Sequence, residues 1–114
     1  MILPKLIEYL TAHLDVFVGM EAPEETSGYV LIDQTGSSTS NHITTTTIAV
    51  QSYGDTLYNA LMLNEDAKAV MLNFIEEPEV ASVTLETDYN FTNTATKQYR
   101  WQAVYHITHY LGGN

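Results

Sequence analysis

The chain of 114 residues has no cysteine. Disulfides, thiolate metal sites and cysteine nucleophiles are therefore excluded together, while the redox compartment stays open. Cations are scarce too: four Lys and Arg stand against fourteen Asp and Glu, for a formal net charge of −10. Proteins that hold a phosphate backbone do so with clustered Lys and Arg, so this balance argues against nucleic-acid binding. No apolar run approaches the roughly 20 residues that span a bilayer. The opening MILPKLIEYLTAHL is interrupted by Lys5, Glu8 and His13 and lacks a small-residue cleavage site. It does not read as a signal peptide, and the expectation is a protein made and kept in a cytoplasm, with no membrane partner. Catalytic and nucleotide-binding signatures are missing as well. Gly36 sits in a Ser/Thr stretch with no P-loop lysine after it, and no G-x-S-x-G elbow occurs. Asn90-Phe91-Thr92 fits a glycosylation sequon, which has no consequence without secretion.

What is present is a folding composition, 45% apolar and 11% aromatic, sufficient for one modest core. That length predicts a single domain over 1–114. Residues 2–14 place Ile2, Leu3, Leu6, Ile7, Leu10 and Leu14 at three- and four-residue spacings, the stripe of an amphipathic helix. Pro4 is tolerated in its first turn. DVFVGM is a short strand candidate, followed by the acidic loop 21–28. YVLID at 29–33 reads as a strand covered on both faces. QTGSSTSNH at 34–42 reads as a mobile polar loop, and ITTTTIAVQS at 43–52 as a β-branched strand with Thr44, Thr46, Ile48 and Val50 on one face. Its four consecutive threonines suit a partly exposed sheet, or an edge that meets a neighbour. A helix follows over about 55–75, with Leu57, Ala60, Leu61, Ala67, Val70, Met71 and Phe74 inward. Asn64-Glu65-Asp66 reads as a kink at which Asn64 caps a second segment. VASVTLET at 80–87 points Ala81, Val83 and Leu85 to one face. KQYRWQAVYHITHY at 97–110 puts Tyr99, Trp101, Ala103, Tyr105 and Ile107 opposite Arg100, Gln102, His106 and Thr108. The fold expected is α+β: an N-terminal helix, a mixed but mostly antiparallel sheet of four or five strands, a long second helix packed on one face, and a C-terminal β-hairpin.

Site chemistry is sparse. His106-x-x-His109 has metal-like spacing, but odd spacing on a strand sends the two rings to opposite faces, so they do not share an ion. The acid pairs Glu24-Glu25, Glu65-Asp66 and Glu76-Glu77 fall in loops or at helix ends, where carboxylates are ordinarily hydrated. The aromatic stripe on 99–107 could stack bases, but it lacks a positive groove and reads better as a core face. Lys97 and Arg100 are two of the four cations and suit an ion pair, within the fold or across a subunit boundary. From these residues the expectation is no catalytic, cofactor-binding or metal-binding site.

A resemblance adds a role. DYNFTNTATKQYRWQAVYHITHY carries an aromatic-Arg-aromatic-Gln core, Tyr99-Arg100-Trp101-Gln102, after an N-F-T-x-T turn. IAVQSYGDTLYNAL upstream has the form of a strand-to-helix entry. Over about 48–62 and 86–110 the chain thus resembles the tail terminator and tail-completion proteins, also called minor capsid or head–tail joining proteins, of long-tailed phages and prophages of Gram-positive bacteria. The element order resembles theirs over nearly the whole chain. The resemblance implies a non-catalytic virion protein, assembled in the bacterial cytoplasm. Its copies would form a ring, typically a hexamer, at the head-proximal end of the tail tube, ending tube growth and joining tail to head. The implied partners are further copies of itself, the major tail tube protein and a head-completion or connector protein, with DNA only passing through the lumen. The acidic balance is compatible with such a conduit, since a wall that repels phosphates does not hold DNA. Candidate subunit or lumen contacts are Glu21, Glu24, Glu25, Thr44, Thr46, Lys97 and Arg100. Two rivals remain open: an acidic module that mimics DNA toward a basic partner, which needs regularly spaced carboxylates, and a small enzyme, which needs a pocket of convergent polar groups.

Overall fold

Residues 2–24 and 27–110 are described by the computed structural model. In chain order the elements are α1 (Ile2–His13), β1 (Phe17–Gly19), β2 (Tyr29–Ser40), β3 (Ile43–Gly54), α2 (Leu57–Asn73) with a 3-10 turn at Phe74–Glu76, β4 (Val80–Asn90) and β5 (Tyr99–Tyr110). The sheet order is β1-β2-β3-β5-β4. β1 pairs parallel with β2, and every other pair is antiparallel. This is the α+β architecture expected. The long strands reach nearly 40 Å at about 3.3 Å per residue, and the molecule measures 44 × 24 × 22 Å.

Alternation decides what each sheet face does. Val30 and Ile32, Ile48 and Val50, and Ala103, Tyr105 and Ile107 point to the face that carries α2 and are buried. Leu6 and Leu10 of α1, Ala67 and Met71 of α2, and Phe74 of the 3-10 turn complete that core. The Thr56 hydroxyl caps α2 by accepting from the Asn59 N–H at 3.0 Å. Gly54 is required just before it, because a Cβ there would lie 2.6 Å from the Ala60 nitrogen.

Several expectations give way. Residues 34–42 are not a mobile loop: Gly36–Ser40 pair with Ile43–Thr47, and the two-residue connection is Asn41-His42. Both adopt positive φ, 54° and 66°, as a twist-matched hairpin turn needs. The β-branched threonines impose strand geometry on the small polar residues opposite them. β3 lies between β2 and β5, so the threonine run is not at an edge. α2 runs unbroken past Asn64, which is fully buried mid-helix and caps nothing. Leu57, expected inside, is exposed in the first turn, and Ala81 is exposed because the β4 register shifts between Val80 and Ser82.

Candidate functional site

Among the described residues, no helix packs on the face of the sheet away from α2. Register sets its side chains in rows: Tyr29, Tyr53 and Arg100; then Leu31, Gln51, Gln102 and Tyr89; then Asp33, Ala49, Val104 and Thr87; then Thr47, His106 and Thr84; finally Ser38, Thr45, Thr108 and Ser82.

A directed chain of hydrogen bonds crosses this face. Arg100 Nη1 donates to the Tyr53 hydroxyl at 3.0 Å, which donates to Gln51 Oε1 at 3.0 Å. Gln51 Nε2 donates to Gln102 Oε1 at 2.7 Å, and Gln102 Nε2 donates to the Tyr89 hydroxyl. Every member donates in one direction, and the chain ends at the hydroxyl of Tyr89, whose ring is exposed. Arg100 is fixed at the other end. Its Nε donates to the Phe91 carbonyl at 2.7 Å, and its guanidinium lies 4.5 Å from the Phe91 ring centre and 5.8 Å from that of Tyr53. Tyr53 in turn stacks on Tyr29 at 4.6 Å. Burial, then the neighbouring Tyr53, pushes the Tyr29 phenol above its ordinary range.

Farther along the strands the face becomes a hydroxyl surface. Thr45 and Thr108 hydrogen-bond across β3 and β5 at 3.3 Å. His106 meets Thr47 through Nδ1 at 3.1 Å and Glu86 through Nε2 at 3.1 Å. His109 is on the opposite face, as its spacing requires. It is buried against the Thr46 hydroxyl at 2.9 Å, and burial holds its pKa below the usual imidazole value. Among the described residues, no three His, Cys, Asp or Glu side chains gather where a metal could sit.

Charge is distributed unevenly. No Asp, Glu, Lys or Arg occurs between Gln34 and Gly54, nor between Trp101 and Tyr110. Among the described residues, the strands therefore place only Asp33, Glu86 at a β4 bulge, and Arg100 as charged groups on the open face. The acids gather elsewhere. Lys5 bridges Glu77 at 3.4 Å and Glu79 at 3.1 Å, and its ammonium is held above its usual range, chiefly by the hydrogen bond to Glu79. The Glu79 carboxyl is held below its own by a backbone hydrogen bond and then by Lys5. Lys68 joins Glu65 at 2.8 Å and Asp88 at 3.2 Å, tying α2 to β4, and the indole N–H of Trp101 donates to Asp88 at 3.0 Å.

The seven residues singled out from sequence do not form one cluster. Glu21 and Glu24 are exposed in the loop before β2, and Glu25 falls outside the described residues. Thr44 and Thr46 point to the helix-bearing face and are buried within the chain. Period-two alternation gives the outward positions to Thr45 and Thr47. Lys97 adopts a positive φ of 55° in the β4–β5 connection and meets no carboxylate among the described residues. With Tyr29, Tyr53, Asn93 and Gln98 it lines an open depression of about 470 Å³. Among the described residues, Arg100 is held by aromatic rings, a carbonyl and the Tyr53 hydroxyl, and by no carboxylate. Gln51, Tyr53 and Tyr89 escaped notice in the sequence. Their only signal was that they share a sheet face with Gln102, which needs the register. Comparison with known protein families finds no match to this chain, and comparison with curated proteins finds none either.

Proposed function

We propose that the chain is a structural, non-catalytic subunit that assembles with copies of itself into a ring, and that this ring ends the tail tube of a long-tailed phage and joins it to the head. The observation that supports self-assembly is the charge map. Among the described residues, a molecule of −10 devotes the sheet face away from α2 to hydroxyl, amide and aromatic groups and places nearly all its carboxylates elsewhere. An exposed surface made only for solubility gains from interspersed charge, whereas a surface that meets another acidic copy must exclude it. The tail-tube setting rests on the resemblance of 48–62 and 86–110 to tail-completion proteins. On this reading the subunit sits in the virion and faces the major tail tube protein on one side and a connector protein on the other, with DNA passing through.

The test is a tube-growth assay. Purified major tail tube protein of the same phage or prophage is polymerised with increasing amounts of this protein, and tube lengths are measured by negative-stain microscopy. The expected result is a falling mean length, with extra density at one tube end. Unchanged lengths and bare ends would reject the assignment.

A further inference from the structure

The sheet has two unpaired edges, and they lie at the same height. β1 covers β2 only at Tyr29–Leu31, so Asp33–Ser40 has no strand on its outer side among the described residues. At the other side of the sheet β4 is outermost along its whole length. The row Ser38, Thr45, Thr108 and Ser82 runs straight from one open edge to the other, and so does the row Gly36, Thr47, His106 and Thr84.

Strand direction gives these edges a relation. Across the sheet β2 runs up, β3 down, β5 up and β4 down. A second copy placed beside β4 with the same strand direction, fanned so that its β1 clears the Tyr89–Asn90 end of β4, therefore presents an upward β2 to a downward β4. Antiparallel pairing continues through the boundary without inversion. Such a contact joins two different surfaces, and contacts of that kind make rings when the rotation closes. An open strand edge is also a template for another strand, which closure removes.

Charge and regularity select the segments. β4 is interrupted by register shifts between Val80 and Ser82 and between Leu85 and Thr87, which leaves Ser82–Leu85 regular. β2 is regular from Gly36 to Ser40, beyond its own shift between Gln34 and Gly36. Gly36–Ser40 contains no charge, while β4 carries Glu86. Pairing β4 with β4, or β2 with β2, joins identical surfaces and closes as a two-fold dimer, not a ring. Pairing β2 with β4 sets a neutral strand against an acidic one.

Resting on the ring reading above, we infer that Gly36–Ser40 of one copy pairs antiparallel with Ser82–Leu85 of the next, and that this strand addition is the subunit contact of the ring. The Ser/Thr row through Ser38 and Ser82 then continues from copy to copy on the open face.

Because the chain has no cysteine, introduced thiols are the only ones present. Ser38→Cys and Ser82→Cys are made separately, with different mass tags, in the full chain. Each alone and the mixture are treated with a short bismaleimide, and sedimentation of the same samples reports assembly. The mixture should give a covalent mixed dimer at least about tenfold more abundant than either homodimer. The double variant S38C/S82C should give a ladder ending at the ring, and S38C with Thr84→Cys covers an offset of one pleat. Rings that form in solution while neither pair cross-links would overturn the inference and leave the ring reading standing. A dominant S38C homodimer would overturn it in favour of a two-fold β2 contact. Monomers under all conditions would remove both.

Discussion

Arg100 does several jobs with one side chain. It donates to the Phe91 carbonyl and the Tyr53 hydroxyl and lies against two aromatic rings. A planar fork makes these contacts together and an ammonium does not. Arg100→Ala is expected to lower stability by about 1–3 kcal/mol, and Arg100→Lys to recover less than half of that, by urea denaturation. An R100K variant as stable as the parent would show that charge alone suffices. Asn64 makes the opposite case. It is fully buried, and neither amide atom has a hydrogen-bond partner. Burying an unpartnered polar group costs about 1–3 kcal/mol, so Asn64→Leu should raise the midpoint of unfolding. A lower midpoint would mean the amide is satisfied in the folded state. His109 sets a pH dependence. Burial lowers its folded pKa below the ordinary 6.5, an effect that Glu79 partly opposes. As pH falls, the unfolded chain takes up the proton first, so stability is complete above about pH 6.5 and declines from there toward the folded pKa. The slope in that window should not exceed about 1.4 kcal/mol per pH unit. His109→Gln should flatten it, as read by denaturation at about pH 7.5 and about pH 5.5. Glu79, whose pKa is lowered, acts in a separate window: its contribution is lost only as pH falls below the ordinary carboxylate value of 4.5.

Among the elements, the β2–β3 hairpin depends on its turn. Asn41 and His42 both hold positive φ, a conformation glycine adopts without strain. His42→Gly should therefore stabilise the hairpin by about 0.5–1 kcal/mol, and Asn41→Val should destabilise it by more. Hydrogen exchange of the Gly36–Ser40 amides would report both. This same hairpin shows where the sequence is legible and where it is not. Strong periodicity identified α1, α2, β3 and β5, because each contains a row of large apolar residues that has one sensible place to go. Ser37–Ser40 has no such row. Those residues become a strand because the threonines across from them are already in one, and a tertiary partner leaves no mark in local composition. Asn64 was misread for a related reason: polar residues inside a helix imitate a cap until burial is known. For the open face the split of β5 was readable from alternation, with Arg100 and Gln102 on one side and Trp101 and Tyr105 on the other. The chain of donors through Tyr53, Gln51 and Tyr89 was not, because it joins three strands whose relative register only the folded sheet reveals.

For the molecule as a whole, the decisive quantity is how acidity is arranged. In the proposed ring, six copies at −10 each would carry a formal −60, so assembly would work against long-range repulsion whatever its contact surface. On the strand-addition reading, the uncharged Gly36–Ser40 edge would let copies meet without adding short-range repulsion. Two of the four cations, Lys5 and Lys68, are each engaged by two carboxylates of their own chain. In the proposed ring, attraction between copies would therefore come mainly from backbone pairing and packing, which salt does not weaken. Screening shortens from a Debye length of about 10 Å at 0.1 M to about 3 Å at 1 M, so the repulsive part fades as salt is added. The most direct measurement is sedimentation velocity of the purified chain across this salt range, at several protein concentrations. A discrete oligomer that gains population as salt rises is the predicted result. Oligomers that dissociate as salt rises, or a monomer at every concentration and salt, would contradict it.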